Sequence, residues 1–127
     1  MNYISTRNKS LNFDFSSIFL RGLAPDGGLF LPNEIIKFSE SELKELSTLN
    51  YIDLGVEIIS KFCTPALDKN KIKLLLDKAY SSFDTKNIVE IKKIDNINLL
   101  ELYHGPTLAF KDIAMQVIGL MYEALNL

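Results

Sequence analysis

The sequence predicts an α/β chain: a small amino-terminal α+β domain followed by the first strand and helix elements of a second, truncated unit. Three observations lead there. Short β-branched or aromatic runs alternate with helical ones near the start, three amphipathic helical segments succeed one another between residues 39 and 83, and beyond residue 85 the pattern changes to two strand-like runs and one long apolar helical run. The composition shift places a domain boundary near residue 85, giving units 1–85 and 86–127.

Tyr3-Ile4-Ser5-Thr6 has the side chains of a short strand, and a polar stretch follows from Arg7 to Ser10. Between Asp14 and Leu23, the residues Phe15, Ile18, Phe19 and Leu23 recur at helical intervals, with Asp14 placed to cap the first turn. Ala24-Pro25-Asp26-Gly27-Gly28 reads as a turn, because proline presets one dihedral and glycine accepts positive φ. It lacks the strand, glycine-rich loop and long helix that a phosphate cradle requires. Leu29-Phe30-Leu31 reads as a brief buried strand closed by Pro32.

Ser39-Glu40-Ser41-Glu42 has the capping-box pattern and predicts a helix through Leu49, with Leu43 and Leu46 on one face. A second helix runs from Tyr51 to Cys63 with a stripe of Ile52, Val56, Ile59 and Cys63. Thr64-Pro65 breaks it, and a third helix from near Asp68 carries Ile72, Leu75, Leu76, Ala79, Tyr80 and Phe83 inward. These three are expected to form one compact bundle. Ile88 to Ile91 and Asn98 to Tyr103 read as strands flanking a turn at Asp95-Asn96. Thr107 to Asn126 is expected to be helical, and its apolar residues on more than one side suit burial between a sheet and other elements.

A chain of 127 residues, 47% hydrophobic and 24% charged, is long enough to bury one core. Its 16 acidic and 14 basic side chains are spread along the whole length, so no basic face points to a nucleic-acid partner. Cys63 is the single cysteine, which rules out an intramolecular disulfide and suits a reducing compartment. No apolar run approaches the ~20 residues of a membrane span, and Met1 to Arg7 lacks the layout of a secretory signal. A soluble, cytoplasmic protein with no membrane partner is expected. Cys63, on an apolar helical face, reads as a core residue.

The chemistry concentrates in Glu101-Leu102-Tyr103-His104-Gly105-Pro106-Thr107-Leu108-Ala109-Phe110-Lys111-Asp112, which puts a strand end, a Gly-Pro loop and a helix start within twelve residues. Ligands collect at such junctions in open α/β sheets. Lys111 falls in the first turn of the expected helix, where the macrodipole disfavours an ammonium group, and Leu108 and Phe110 are expected to add desolvation. A neutral amine of that kind attacks aldehydes to form an imine and can then carry protons. On spacing alone, a surface ion pair of Lys111 with Asp112 is the favoured reading. Thr107 either caps the helix or lends its hydroxyl to the site; Asp112 suits the helix dipole structurally; His104, the one histidine, either satisfies loop backbone groups or approaches a ligand.

The contiguous run from His104 to Asp112 resembles the cofactor-lysine motif of the threonine synthase family. Tyr3 to Arg7 resembles that family's start, and Gly22 to Pro32 its early glycine turn, so three motifs fall in order along the chain. The resemblance implies a fold-type II enzyme dependent on pyridoxal 5'-phosphate. It implies conversion of O-phospho-L-homoserine and water into L-threonine and phosphate, the last step of threonine biosynthesis, by a carbon-oxygen lyase. On this footing Lys111 is the catalytic residue that holds the cofactor as a Schiff base, with Phe110, Thr107 and Asp112 as candidate cofactor contacts and His104 as a candidate substrate contact. No metal site is expected.

Members of that family are several times longer. The chain is therefore expected to be a fragment, inactive alone, whose partner is the missing carboxyl-terminal part of the same enzyme. Two alternatives stand beside it: a free-standing, non-catalytic interaction module using the apolar last helix, and a threonine-synthase-like phospho-lyase that does not make threonine.

Overall fold

The computed structural model describes residues 1–126 and contains four strands and five α-helices among them. In chain order these are β1 (Tyr3–Ser5), α1 (Phe15–Arg21), β2 (Phe30–Pro32), α2 (Glu40–Leu46), α3 (Tyr51–Cys63), α4 (Lys69–Tyr80), β3 (Glu90–Ile94), β4 (Ile97–Glu101) and α5 (Asp112–Asn126). The mixed α/β class expected from the sequence is present. The strands form two separate antiparallel pairs, β1 with β2 and β3 with β4.

Side-chain caps set where four helices begin. Asp14, Asn50 and Asp68 each accept a hydrogen bond from the backbone N–H three residues on, at 2.8, 2.9 and 2.8 Å. Ser39 and Glu42 complete the reciprocal capping box of α2. That helix stops at Leu46 instead of Leu49 because Ser47 and Thr48 turn their hydroxyls onto the carbonyls of Lys44 and Glu45, tightening the chain into a short non-α turn.

The core differs from the expected bundle in membership. Helix α3 packs on α4, α4 on α5, and α1 touches α3 and α5, while α2 has no buried residue and Leu43 is 54% exposed. Leu67, Ile72, Leu76 and Cys63 are almost fully enclosed, in one cluster with Tyr3, Phe15, Val117 and Met121. Burial pushes the Cys63 thiol up to about 12, in keeping with a core cysteine. Tyr80 donates from its hydroxyl to the Ile113 carbonyl at 3.0 Å, joining α4 to α5.

The expected buried strand after the glycine turn is not buried. Tyr3 and Ser5 of β1 take the inward positions of that small sheet, which leaves Leu31 on the outer side at 48% exposure and Leu29 just before the strand at 60%. The second sheet is a hairpin in which Ile94 pairs with Ile97 across Asp95-Asn96, with Asp95 at φ 52°. Ile91, Ile94, Ile97, Leu99 and Leu100 along it are all exposed. No helix among the described residues is long and apolar enough to cross a membrane.

Candidate functional site

Strand β4 ends at Glu101, whose buried carboxylate closes the hairpin against Lys92 at 2.7 Å. That bond, followed by one from Tyr103, holds the Glu101 carboxyl below its ordinary range, and the same carboxylate raises Lys92. The other Glu101 oxygen lies 3.3 Å from His104 Nε2, while His104 Nδ1 lies 2.8 Å from Asp84 Oδ1. Asp84 also donates its backbone N–H to the His104 carbonyl at 3.0 Å. The imidazole therefore bridges two carboxylates, one in the loop after α4 and one at the end of β4, rather than satisfying loop backbone groups.

Beyond His104 the chain turns tightly. Gly105 is buried with its Cα against Asp112, and a Cβ there would sit 2.4 Å from the Asp112 Cβ. Leu108 donates its N–H to the Gly105 carbonyl at 3.0 Å and takes φ 60°, a left-handed conformation uncommon for a leucine. The Asp112 carboxylate accepts the Thr107 N–H at 2.8 Å, the Thr107 hydroxyl at 2.8 Å and the Gln116 amide at 3.4 Å. Desolvation works to raise this carboxyl, but the two Thr107 bonds, Gln116 and the Ala109 backbone outweigh it and hold it below the ordinary value.

Three expectations change here. Helix α5 starts at Asp112 and not at Thr107, because the Asp112 carboxylate draws Thr107 into the turn; Thr107 is bonded to the helix start without capping it. Lys111 immediately precedes the helix, and its carbonyl accepts the Ala114 and Met115 N–H groups. Leu108 and Phe110 are 70% and 65% exposed, so they do not desolvate Lys111 within this chain.

The ion pair of Lys111 with Asp112 is also absent. Both Asp112 oxygens are engaged by Thr107 and Gln116, and Lys111, exposed, forms no salt bridge among the described residues. Thus Thr107 and Asp112 come together, Phe110 and Lys111 stand free beside them, and His104 lies across Gly105 in a network of its own. Gln116 was readable as the i+4 neighbour of Asp112. Asp84 was not, since 20 residues separate it from His104.

The early glycine turn is a structural clasp. Asp26 accepts from the buried Ser5 hydroxyl at 2.7 Å and from the Gly28 N–H at 2.9 Å, while Arg7 donates to the Asp26 carbonyl at 3.1 Å. A side chain at Gly28 would meet Ser5 Oγ at 2.3 Å, so glycine is required by close approach. The Asp26 carboxylate already takes the Ser5 hydroxyl and the Gly28 N–H. A groove of ≈ 660 Å³ between α2 and α3 includes no residue of the Gly105 to Lys111 loop and is lined in part by the Lys61 to Glu42 ion pair at 3.6 Å. No cluster of metal-ligating side chains occurs among the described residues.

The profile of the threonine synthase N terminus matches residues 2–80. The chain belongs to the threonine synthase family. A threonine synthase of Methylobacillus glycogenes is 40% identical over 97% of this chain, and a threonine synthase-like 2 protein of Xenopus laevis is 39% identical over 94% of it. The structure of a pyridoxal-phosphate-bound threonine synthase from Brucella melitensis superposes over 98% of the chain with a TM-score of 0.93 at 33% identity. The chain spans 28%, 26% and 27% of those proteins' lengths, about a quarter of each.

The Lys111 loop fits covalent attachment of that cofactor on one count: an exposed primary amine, without a carboxylate partner among the described residues, ahead of a helix amino end. The residues of this chain offer no phosphate cradle in the early glycine turn, where Asp26 already takes the donors.

Proposed function

We propose that this chain is the amino-terminal part of a threonine synthase acting on O-phosphohomoserine, with Lys111 as the residue that holds pyridoxal phosphate. The observation that carries the reading is the free Lys111 amine, released from Asp112 by Thr107 and Gln116, within a contiguous family motif. When bound, the cofactor supplies an electron sink for the substrate carbons. Lys111 would hold the cofactor through its side-chain amine and, when that amine is free, would carry protons to and from the substrate. Phe110, exposed in the next position of the chain, would be a contact of the cofactor in this reading. In this reading Thr107 and Asp112 shape the loop through their mutual hydrogen bonds. His104 reaches a substrate only by leaving Asp84 or Glu101, so we assign it to holding β4 against the loop after α4.

In this reading residues 1–85 are the amino-terminal domain and residues 86–127 open a fold-type II cofactor domain. The exposed aliphatic side chains of the β3–β4 hairpin are then seats for the rest of that domain. The isolated chain is inactive, because most cofactor and substrate contacts belong to the remaining three quarters of a family-length enzyme. Its single buried cysteine fits a cytoplasmic enzyme.

The test is made in the complete gene product that carries this sequence. Lys111→Ala is expected to abolish borohydride trapping of the cofactor, its visible protein-bound absorbance and threonine formation. Retention of all three in the variant overturns the assignment. The similar identities to a threonine synthase and to a threonine synthase-like 2 protein keep a phospho-lyase as the second reading. Phosphate released without threonine selects it.

A further inference from the structure

The geometry points to Asp112 as the positioning residue for Lys111: its enclosed carboxylate ties the Gly105 to Lys111 loop to helix α5 and fixes where the reactive amine leaves the backbone. This rests on the reading of Lys111 as the cofactor lysine. Asp112 is 3% exposed, yet none of its bonds goes to a cation. It accepts instead from the backbone and hydroxyl of Thr107, five residues back, and from Gln116, four residues on.

At its helix end the loop is held by backbone bonds as well, the Phe110 carbonyl accepting from Ile113 at 3.4 Å and the Lys111 carbonyl from Ala114 and Met115 at 3.1 and 2.8 Å. The arm from Gly105 to Ala109 has less: one turn bond from Leu108 to Gly105 and one from Asp112 to Ala109, both 3.0 Å, and Leu108, Phe110 and Lys111 are exposed. Gly105 brings the opposite arm of the loop within van der Waals reach of the Asp112 side chain, where any Cβ would collide. Both ends of a seven-residue segment thus meet at one carboxylate, and Lys111 is its immediate neighbour. A charge-assisted bond is short and directional, so the carboxylate fixes distance and angle together. Displacement of a reacting group by about 1 Å costs on the order of a hundredfold in rate, which makes such a clamp consequential for an amine that must meet an aldehyde carbon.

The experiment has one arm in the present chain and one in the complete enzyme. In the 127-residue chain, amide exchange of Thr107 is expected to accelerate about tenfold or more in Asp112→Ala, and less in Asp112→Asn, whose side chain keeps the shape and one acceptor. In the complete enzyme, Asp112→Ala is expected to lower kcat about tenfold to a hundredfold with a smaller change in KM, to slow borohydride trapping, and to be partly rescued by Asp112→Asn. Should Asp112→Ala fail to fold, Thr107→Val removes the hydroxyl bond alone and is expected to show the same kcat effect in smaller measure. Unchanged Thr107 exchange and unchanged kcat in the folded variants overturn the inference while leaving Lys111 in its role. Retention of borohydride-trapped cofactor, protein-bound absorbance and threonine formation in Lys111→Ala overturns the underlying reading instead, whatever Asp112 does.

Discussion

Asp112 carries its charge where solvent barely reaches, and what makes that tolerable is a complete set of donors: the Thr107 N–H, the Thr107 hydroxyl and the Gln116 amide. Those donors favour the ionised form, so the native carboxyl releases its proton at lower pH than the unfolded one. Unfolding then takes up a proton in acid. The contribution is whole above the ordinary aspartate value, about pH 4, and is lost as pH falls through the lower native value. Replacing Asp112 with Asn should therefore make stability less steeply dependent on pH as pH falls through about 4 and below, read as urea midpoints at each pH. Asp14, Asp26, Asp53, Glu42 and Glu101 are lowered too, so the difference between variant and parent isolates Asp112. Superimposable curves rule the mechanism out. At this scale the sequence was partly legible. The Lys111 motif, the Gly105 turn and the Asp26 turn stood out from residue types alone, whereas the pairing of Asp112 with Thr107 did not, because a side chain reaching back to a backbone N–H leaves no periodic trace.

Helices were read with more success than the sites between them, for a physical reason. Caps and amphipathic stripes act within a few residues, so Asp14, Ser39 and Asp68 announce helix starts that the structure places at those positions, and the stripe from Tyr51 marks α3. What a stripe packs against is not local. Leu43 and Leu46 resemble the inward rows of α3 and α4, yet α2 stays outside the core with no buried residue. The start of α5 was misjudged by five residues, Thr107 against Asp112, because the loop competes for the same carboxylate. The peripheral position of α2 has a measurable consequence. Ser39→Ala removes the hydroxyl half of its capping box, the bond from the Glu42 N–H, and leaves the Ser39 N–H on the Glu42 carboxylate, a change worth about 1 kcal/mol to the helix itself. Faster amide exchange is expected over Glu40–Leu46, while α3 and α4 keep their protection and the global midpoint moves little. Equal loss of protection across all three helices would falsify the view of α2 as an outlying element.

The same cluster of side chains spans the molecule from its first strand to its last helix. Tyr3 donates to the Phe62 carbonyl at 2.9 Å, Tyr80 to that of Ile113 at 3.0 Å and Tyr122 to that of Phe19 at 2.9 Å, so each link crosses between distant stretches of chain. Leu76, 1% exposed, sits on α4 between α3 and α5. The family profile ends at residue 80, but Val117 and Met121 on α5 complete the core in which Leu76 lies. Helix α5 should then unfold with α3 and α4 rather than before them. Leu76→Ala removes atoms from a site without solvent access, so a loss of about 2–5 kcal/mol is expected. The loss should appear equally in amide protection of α3, α4 and α5. Far-ultraviolet circular dichroism reports the helices and near-ultraviolet dichroism the tyrosines that tie them, and the two should give one coincident urea transition in parent and variant alike. Two separated transitions, with α5 lost first and α3–α4 untouched by Leu76→Ala, would mean that the last helix merely rests on the core, and the shared cluster would not be what holds the chain together.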